Sequence, residues 1–305
     1  MPPMSRGSRV GWIGTGVMGL PMCGHVLDAG YEVDVYSRTK ERAAPLVERG
    51  ARWRESPATV AAEADVVFTM LGYPADVRDV ILGDGRVLDA LAPGSLLVDL
   101  TTSEPSLAEE IHAAAASKGV EALDAPVSGG DVGARNGTLS VMVGATKEAF
   151  ARARPLLEPF AGRITLQGGP GAGQHTKMVN QISIASGMVG LCEALLYAHR
   201  SGLDVELALD TIRAGAAASW SLDNLAPRLL AGDLEPGFKI DHFIKDLGVA
   251  LAEAKRMELQ LPGLALAEQL YRTARDEQGL GQQGTQALAV ALARMSGLEW
   301  PAAQT

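Results

Sequence analysis

The first residue of this sequence that points to chemistry is a lysine in an apolar, helix-like segment. Lys177 lies in GAGQHTKMVNQ, residues 171–181, and the only formally charged residue between positions 178 and 199 is Glu193. A helix this apolar is expected to be buried, and burying an ammonium costs free energy unless the group has a function or a partner. A positioned ammonium stabilises negative charge that develops on an oxygen atom and can donate a proton to it. The alternative is a lysine that extends its charge to solvent from a helix end.

A glycine-rich loop near the N-terminus predicts a dinucleotide site. Gly14, Gly16 and Gly19 follow a strand-like segment and precede a helical one. In such a loop the first glycine allows the tight turn, the second lets the backbone approach a pyrophosphate, and the third allows close helix–sheet packing. An ordinary tight turn is the alternative. The predicted cofactor contacts are those of the whole loop: Gly14, Thr15, Gly16, Val17, Met18 and Gly19.

The residues after the second strand favour NADP over NAD as the cofactor. NAD sites usually place an acidic residue there to bind the ribose 2′-hydroxyl, whereas Ser37, Arg38 and Thr39 follow the strand EVDVY here. A guanidinium group and nearby hydroxyls suit a 2′-phosphate, which a carboxylate would repel. Asp34 is the competing acid, and its place before the strand end predicts that it points away from the ribose. Arg38 as a solvated loop charge is the alternative.

The predicted secondary structure that positions these residues changes near residue 168. Before it, strands alternate with helices, which predicts a mostly parallel sheet covered on both faces. After it, residues 174–295 read as successive helices. We therefore expect an α/β fold with a Rossmann-type doubly wound parallel sheet at 8–167, which binds NADP. An all-α domain for substrate and oligomer contacts is expected at 168–300, opened by the helix that carries Lys177.

Seven strands are predicted in the first of these domains, with helices between them. The predicted strands are RVGWIG, EVDVY, DVVFTM, SLLVDL, VEALDA, LSVMVG and RITLQ, and the predicted helices are 40–49, 57–64, 105–118 and 147–157. Breaks between the later helices are expected near Gly202, Pro227, Gly237, Pro262 and Gly279–Gly284.

Composition narrows the class of protein. The chain has 305 residues, which is long enough for two domains, and 47% of them are apolar. The net charge is −9 and no run of Lys or Arg occurs, which argues against a nucleic-acid surface. No apolar stretch of about 18 residues lacks polar interruptions, so no membrane span is expected. Cys23 and Cys192 are expected to be buried thiols rather than a disulfide. Without a signal-like segment a cytoplasmic location is expected, and the histidines show no metal-ligand spacing.

Five motifs occur in the order and spacing of a known family: GWIGTGVMGLPM, DLTTSEP, DAPVSGGDVGARNGTLSVMVG, GAGQHTKMVNQ and FKIDHFIKDL. From about residue 8 to 295 the chain resembles the β-hydroxyacid dehydrogenases, which include 3-hydroxyisobutyrate dehydrogenase and tartronate semialdehyde reductase (2-hydroxy-3-oxopropionate reductase). The resemblance implies interconversion of a small aldehyde acid and its hydroxyacid, with a helical second domain like that of 6-phosphogluconate dehydrogenase. The active cleft is then expected between the two domains.

The resemblance also implies roles for single residues. Lys177 corresponds to the catalytic lysine of the family, and its burial would lower its pKa toward the working pH. Ser128, Gly129 and Gly130 correspond to the segment that holds the substrate carboxylate, where consecutive small residues expose backbone N–H groups. A flexible turn is the alternative for that segment. The acidic chain would thus bind a small anionic substrate through local donors.

Two polar residues follow the lysine on the same helix. Asn180 and Gln181 lie three and four residues after Lys177, so they share roughly its face. The family often has Asn at the second of these positions, and KxxNQ resembles the tartronate semialdehyde reductase branch, where an extra substrate hydroxyl needs a polar partner. A capping or helix–helix hydrogen bond is the alternative.

Three further residues are expected near the cofactor by resemblance. Thr102 corresponds to a residue near the nicotinamide ribose, with a helix N-cap as the alternative. Lys245 corresponds to a lysine that reaches the cofactor and substrate, with a solvated charge as the alternative. Leu71 is expected on the nicotinamide side, but the family commonly continues Leu-Pro where this chain has Leu71 followed by Gly72-Tyr73-Pro74, so the resemblance does not define that loop.

The sequence is also compatible with other functions. Within the family, 3-hydroxyisobutyrate dehydrogenase and succinic semialdehyde reductase are the near alternatives. 6-Phosphogluconate dehydrogenase has a longer helical domain, and imine reductases lack the lysine. A regulatory module that binds NADP without catalysis is the alternative from another class. The apolar helical domain predicts a homodimer or homotetramer.

Overall fold

The computed structural model describes residues 4, 7–298 and 300. The chain forms two compact units that divide after Lys177. The division falls inside one long helix, Ala172–Arg200.

The first unit is built on one sheet. The strands are β1 (Arg9–Ile13), β2 (Glu32–Tyr36), β3 (Arg52–Trp53), β4 (Val66–Thr69), β5 (Leu96–Asp99), β6 (Glu121–Asp124), β7 (Val127–Ser128), β8 (Leu139–Gly144) and β9 (Ala161–Gly168). Their order is β3-β2-β1-β4-β5-β6-β8-β7, with β9 paired to β8. The first six pair in parallel, β8 runs antiparallel to β6 and β7, and β9 is parallel to β8. The order 3-2-1-4-5-6 is that of a Rossmann sheet, so the predicted fold class is confirmed.

Helices cover both faces of this sheet. In β4, Val66 and Phe68 belong to one hydrophobic core and Val67 to another, because successive side chains of a strand point to opposite faces. The helices of this unit are α1 (Gly19–Asp28), α2 (Ala44–Glu48), α3 (Pro57–Ala61), α4 (Pro74–Leu82), α5 (Val87–Ala90), α6 (Pro105–Ser117), α7 (Gly130–Asn136) and α8 (Lys147–Leu157), with 3₁₀ turns at Lys40–Ala43 and Glu158–Phe160.

The topology brings the carboxyl ends of the parallel strands to one edge of the sheet. The glycine loop follows β1, Ser37 follows β2, Leu71 follows β4, and Thr102 follows β5. Ligands of open parallel sheets bind at this edge, where the strand order reverses. The sheet therefore gathers the predicted cofactor residues of the first unit along one edge.

The second unit is helical over the residues described. It contains most of α9 (Ala172–Arg200), which crosses the division, and the helices α10 (Val205–Arg213), α11 (Trp220–Asn224), α12 (Ala226–Leu230), α13 (Ile240–Arg256), α14 (Pro262–Asp276) and α15 (Leu288–Met295), with a 3₁₀ turn at Thr285–Ala287. An isolated bridge joins Lys239 and Gly284. The predicted breaks occur, and a further one at residues 214–219 was not predicted.

The helix α9 needs a correction to the expectation drawn from hydropathy. Within the described part of the chain, it is the one helix long and apolar enough to cross a membrane by length and composition. Polar interruptions therefore do not exclude such a span by themselves. Its residues Met188, Cys192 and Leu195 are buried in the hydrophobic core of the second unit, and a core helix passes the same test.

Candidate active site

The three glycines of the loop after β1 have different surroundings. Gly14 has a φ of +102°, and a Cβ atom there would lie 2.2 Å from the carbonyl oxygen of Met70. A Cβ atom on Gly19, where α1 begins, would lie 2.1 Å from the carbonyl oxygen of Gly14. Gly16 has no atom within 4 Å of the position of its Cβ. Packing thus requires the first and third glycines, whereas the second faces open space.

The loop also fits a polar ligand. The side chain of Thr15 is buried, and its Oγ1 atom has no hydrogen-bond partner among the residues described. Leaving a buried hydroxyl unpaired costs free energy. An orphaned hydroxyl beside the open space at Gly16 fits the phosphates of a dinucleotide, which the loop residues 14–19 would hold.

Asp34 of β2 is paired with arginines in and after the neighbouring strand β3. Asp34 is buried, and its carboxylate accepts hydrogen bonds from Arg52 Nε at 2.7 Å and Arg54 Nη2 at 2.8 Å. Asp34 pairs in register with Arg52 of β3. Two guanidinium groups therefore neutralise this carboxylate, and the backbone leaves β2 at Ser37 with Arg38 and no acid.

Arg38 is paired with the loop in which the chain departs from the family. The Arg38 side chain is 80% exposed, and its Nη1 atom lies 3.1 Å from Oδ1 of Asp76 in the first turn of α4. The other oxygen of Asp76 accepts a hydrogen bond from the Tyr73 backbone N–H at 3.2 Å. Asp76 thus joins Arg38 to the Gly72-Tyr73-Pro74 loop, a link that the sequence alone did not indicate.

Hydrogen bonds also join the ends of β4 and β5. The backbone N–H of Leu71 donates to Thr101 Oγ1 at 2.9 Å, and Asp99 Oδ1 accepts from both Thr69 Oγ1 and the Thr101 N–H. Thr102 follows Thr101 directly. It is not the N-cap of α6, because that position belongs to Glu104.

The segment after β6 and β7 contains two strained positions that glycine fills. Gly129 has a φ of +131° and Gly130 a φ of +63°, a region that other residues rarely adopt. Ser128 ends β7 and is half-buried. The backbone conformation therefore accounts for glycine at both positions.

Lys177 is buried rather than extended to solvent. The residue is 7% exposed, and its Nζ atom donates a hydrogen bond to the carbonyl oxygen of Val127 at 2.8 Å. Val127 directly precedes Ser128. The structure therefore brings the lysine ammonium to the Ser128-Gly129-Gly130 segment within the first unit.

In the second unit the side chain of Gln181 belongs to a buried hydrogen-bonded group with Asn180, Asp246 and Lys245. Its Nε2 atom donates to Asp246 Oδ2 at 2.6 Å, and its Oε1 atom accepts from Asn180 Nδ2 at 2.7 Å. The other oxygen of Asp246 pairs with Lys245 Nζ at 2.8 Å. Gln181 and Asp246 are almost fully buried, and the Lys245 side chain is 12% exposed. Lys245 is therefore not a solvated surface charge, and the Gln181 amide makes the helix–helix hydrogen bond weighed as an alternative.

Sequence reasoning missed three buried polar residues next to these groups: Asp124, Gln174 and Asp246. The first two hold the start of α9, and the third holds Lys245. The sequence contained a signal for them, because each lies inside a motif that carried the resemblance.

Comparisons with known proteins agree with this architecture. Residues 9–169 match the family described as the NAD binding domain of 6-phosphogluconate dehydrogenase. Residues 171–292 match the family described as the NAD-binding part of NADP-dependent 3-hydroxyisobutyrate dehydrogenase.

Individual relatives cover nearly the whole chain. "Probable 3-hydroxyisobutyrate dehydrogenase-like 1, mitochondrial" of Arabidopsis thaliana is 51% identical over 95% of this chain and 86% of its own. The 2-hydroxy-3-oxopropionate reductase of Escherichia coli is 36% identical over 87% of this chain and 90% of its own. A solved structure of Mycobacterium tuberculosis 3-hydroxyisobutyrate dehydrogenase with L-serine has a TM-score of 0.85 and 32% identity, covering 94% of this chain and 99% of that one. The chain belongs to the β-hydroxyacid dehydrogenase family and is an NAD(P)-dependent oxidoreductase that acts on CH–OH groups.

Proposed function

We propose that this enzyme is an NADP-dependent reductase of small aldehyde acids, with 2-hydroxy-3-oxopropionate (tartronate semialdehyde) as its leading substrate. The observation that carries the proposal is the buried Lys177, whose Nζ atom donates to the carbonyl group directly before Ser128. Such an ammonium, beside a serine and two glycines, suits a substrate that has both a carboxylate and a reducible carbonyl.

In this proposal Lys177 is the general acid. When bound, the reduced nicotinamide supplies the hydride. Lys177 Nζ stabilises the negative charge that develops on the carbonyl oxygen and donates the proton that forms the hydroxyl group. The hydrogen bond to Val127 fixes the direction of one N–H of the ammonium. In the oxidative direction the neutral amine would take the proton from the substrate hydroxyl.

Binding of the substrate carboxylate is assigned to Ser128, Gly129 and Gly130. The Ser128 hydroxyl and the backbone N–H groups of the two glycines are donors for a carboxylate. A glycine pair with positive φ also keeps side chains away from the anion.

The preference for NADP rests on charge at the end of β2. Asp34 is held by Arg52 and Arg54, so it is not available to a ribose hydroxyl. Ser37 takes the usual place of the acid, and Arg38 can pair with a 2′-phosphate once it leaves Asp76. The description of the family that matches residues 171–292 also names an NADP-dependent enzyme.

Substrate choice rests on the polar residues after Lys177. Asn180 is the polar partner proposed for the extra hydroxyl of 2-hydroxy-3-oxopropionate, with Gln181 as its support. The second candidate, 3-hydroxyisobutyrate dehydrogenase, is favoured by the commitment of Gln181 to Asp246, which leaves fewer polar groups for a substrate hydroxyl.

The test is a rate profile with NADPH and NADH against 2-hydroxy-3-oxopropionate, methylmalonate semialdehyde and succinic semialdehyde. We expect the highest kcat/KM for NADPH with 2-hydroxy-3-oxopropionate, because a hydrogen-bonding pocket discriminates against an analogue without the polar group. A preference for methylmalonate semialdehyde would move the enzyme to the second candidate. An absence of turnover with every aldehyde, despite NADPH binding, would leave a binding module.

A cytoplasmic homodimer or homotetramer completes the proposal. Val179 and Tyr197 of α9 are mostly exposed, as are Leu207 of α10 and Trp220 of α11. We infer that these large side chains are covered in an oligomer. Sedimentation velocity over a range of concentrations tests the oligomer.

A further inference from the structure

The carboxylate of Asp124 holds the start of the helix that carries Lys177. Asp124 is the last residue of β6 and is buried. Its Oδ1 atom accepts a hydrogen bond from the Gly171 N–H, and its Oδ2 atom accepts one from the backbone N–H of Gln174, each at 2.8 Å. The first N–H groups of a helix lack partners within the helix, so Asp124 satisfies two of them from the sheet.

This contact is packed too closely to rearrange. A Cβ atom on Gly144 would lie 2.3 Å from Oδ1 of Asp124, and one on Gly173 would lie 2.7 Å from Oδ2. Both neighbours must therefore be glycine for the carboxylate to reach the helix.

Gln174 makes a second link from the same helical turn. Its side chain is fully buried, with Oε1 accepting from the Ser103 N–H at 3.0 Å and Nε2 donating to the carbonyl oxygen of Thr101 at 2.7 Å. The backbone of Gln174 is held by Asp124 and its side chain by the segment after β5. The first turn of α9 is thereby fixed to two adjacent strand ends.

The acceptor of Lys177 lies on the same short segment as the cap. Val127 is three residues after Asp124, and the backbone between them is tied down by the hydrogen bond from Ala125 N–H to the carbonyl oxygen of Asp99 at 2.7 Å. We propose that Asp124 is a positioning residue for Lys177, because its carboxylate sets the first turn of α9 in register with the carbonyl that orients the ammonium. The proposal rests on the catalytic role proposed above for Lys177.

The ionisation of Asp124 provides a readout. Burial raises the pKa of this carboxyl to about 6, and the charge of Asp99 on the adjacent strand adds to the shift. The other titratable groups that face this region are His112, which lines the same small cavity, Glu109 beside Gly171, and Lys177 on α9. Above this pKa the carboxylate accepts both hydrogen bonds, whereas protonation below it removes acceptor capacity.

The contribution of Asp124 to stability and its effect on activity should therefore change in opposite directions with pH. A group whose pKa is raised by folding stabilises the native state when protonated, and this contribution is lost as the pH rises through the folded pKa. The share of Asp124 in stability thus increases between pH 7.5 and pH 5. The cap that positions Lys177 weakens over the same interval, so kcat should fall.

The experiment compares Asp124→Asn with the unaltered enzyme, using NADPH and 2-hydroxy-3-oxopropionate. Asparagine keeps the shape but offers one acceptor oxygen, so we expect kcat to fall by about 10- to 100-fold, as for a small displacement of a catalytic group. The Kd of NADPH should be unchanged, and the fall in kcat near pH 6 should be absent. The matched control is Asp65→Asn, which alters an exposed carboxylate that also accepts a backbone N–H and should leave kcat and its pH profile unchanged.

Normal kcat in Asp124→Asn with the acid limb retained overturns the positioning role. If Asp124→Asn does not fold, the unaltered enzyme still decides, because a kcat that stays constant from pH 7.5 to pH 5 contradicts the proposal. Lys177→Met separates the two hypotheses. Loss of turnover in that variant together with a normal Asp124→Asn removes the positioning role alone, whereas normal turnover in Lys177→Met removes the function on which it rests.

Discussion

The Nζ atom of Lys177 lies 2.8 Å from the carbonyl oxygen of Val127, one residue before the serine assigned to the substrate carboxylate. A backbone carbonyl cannot move away by changing rotamer, so it fixes the ammonium more firmly than a side chain would. This relationship makes the lysine the first residue to test.

Lys177→Met keeps the length and the apolar stem of the side chain but removes the ammonium. We expect kcat to fall by about 10²–10⁴-fold, the usual contribution of general acid catalysis. NADPH binding, measured by fluorescence titration, should survive. Lys177→Arg should also be slow, because a guanidinium group almost never gives up its proton. Lys147→Met, at an exposed site on α8, is the control and should keep the kcat of the unaltered enzyme. The same kcat in the two Lys177 variants would remove Lys177 from the mechanism.

Arg38 and its partner Asp76 should act on cofactor preference in opposite directions. Arg38→Asp removes the partner proposed for the 2′-phosphate, so kcat/KM for NADPH should fall by about 10- to 100-fold relative to NADH. Asp76→Asn frees the guanidinium from its exposed ion pair and should lower the KM for NADPH by about two- to fivefold. Arg42→Asp makes the same charge change four residues along the chain and should leave the ratio between cofactors unaltered. Equal use of both cofactors by the unaltered enzyme would contradict the assignment.

The glycines after β1 should separate folding from cofactor binding. Gly19→Ala places a Cβ atom 2.1 Å from a backbone oxygen and should destabilise the first unit. Gly16→Ala points into open space, so the unfolding temperature should be retained while the Kd of NADPH rises by about tenfold or more. Gly187→Ala, at a helical site with no neighbour within 4 Å of the new atom, is the control for both measurements. Tight NADPH binding by Gly16→Ala would show that the loop is an ordinary turn.

Gln181 should matter more for stability than for substrate choice. Gln181→Leu leaves one oxygen of the buried Asp246 without its donor, which should cost about 1–3 kcal/mol in urea unfolding. The ratio of rates with 2-hydroxy-3-oxopropionate and methylmalonate semialdehyde should change less than in Asn180→Ala, because Gln181 only supports Asn180. Asn180→Ala should alter that ratio with a smaller loss of stability. The reverse pattern would assign the substrate hydroxyl to Gln181.

The long elements of the fold were predictable because their sequence pattern matches their burial. The strands β4 and β5 are apolar at nearly every position since both faces of the sheet are covered. The strands β3 and β7 contain two residues each, too few for any periodicity. They form because neighbouring strands offer hydrogen-bonding edges, as β2 does for Arg52.

The burial of Lys177 was predictable from the sequence, whereas the hydrogen bonds around it were not. An apolar context indicated that Lys177 is buried, yet its acceptor is a main-chain carbonyl, which no pattern of side chains identifies. The contacts of Gln174 with Thr101 and Ser103 join residues more than 70 positions apart. Such contacts depend on how the strand ends are arranged in the sheet, and the pattern of a single sequence does not show which distant residues meet.

The pairing of Asp34 with Arg52 and Arg54 limits how the enzyme can be redesigned. Replacing this aspartate would remove the buried carboxylate that Arg52 and Arg54 share, and would leave them paired with the exposed Glu32 and Glu63. A designer who wants an enzyme that runs on NADH should therefore introduce the acid at Ser37, where the chain has already left the strand, and keep the aspartate. The aspartate of β2 thus has a structural use in the sheet, which a change of cofactor preference should leave in place.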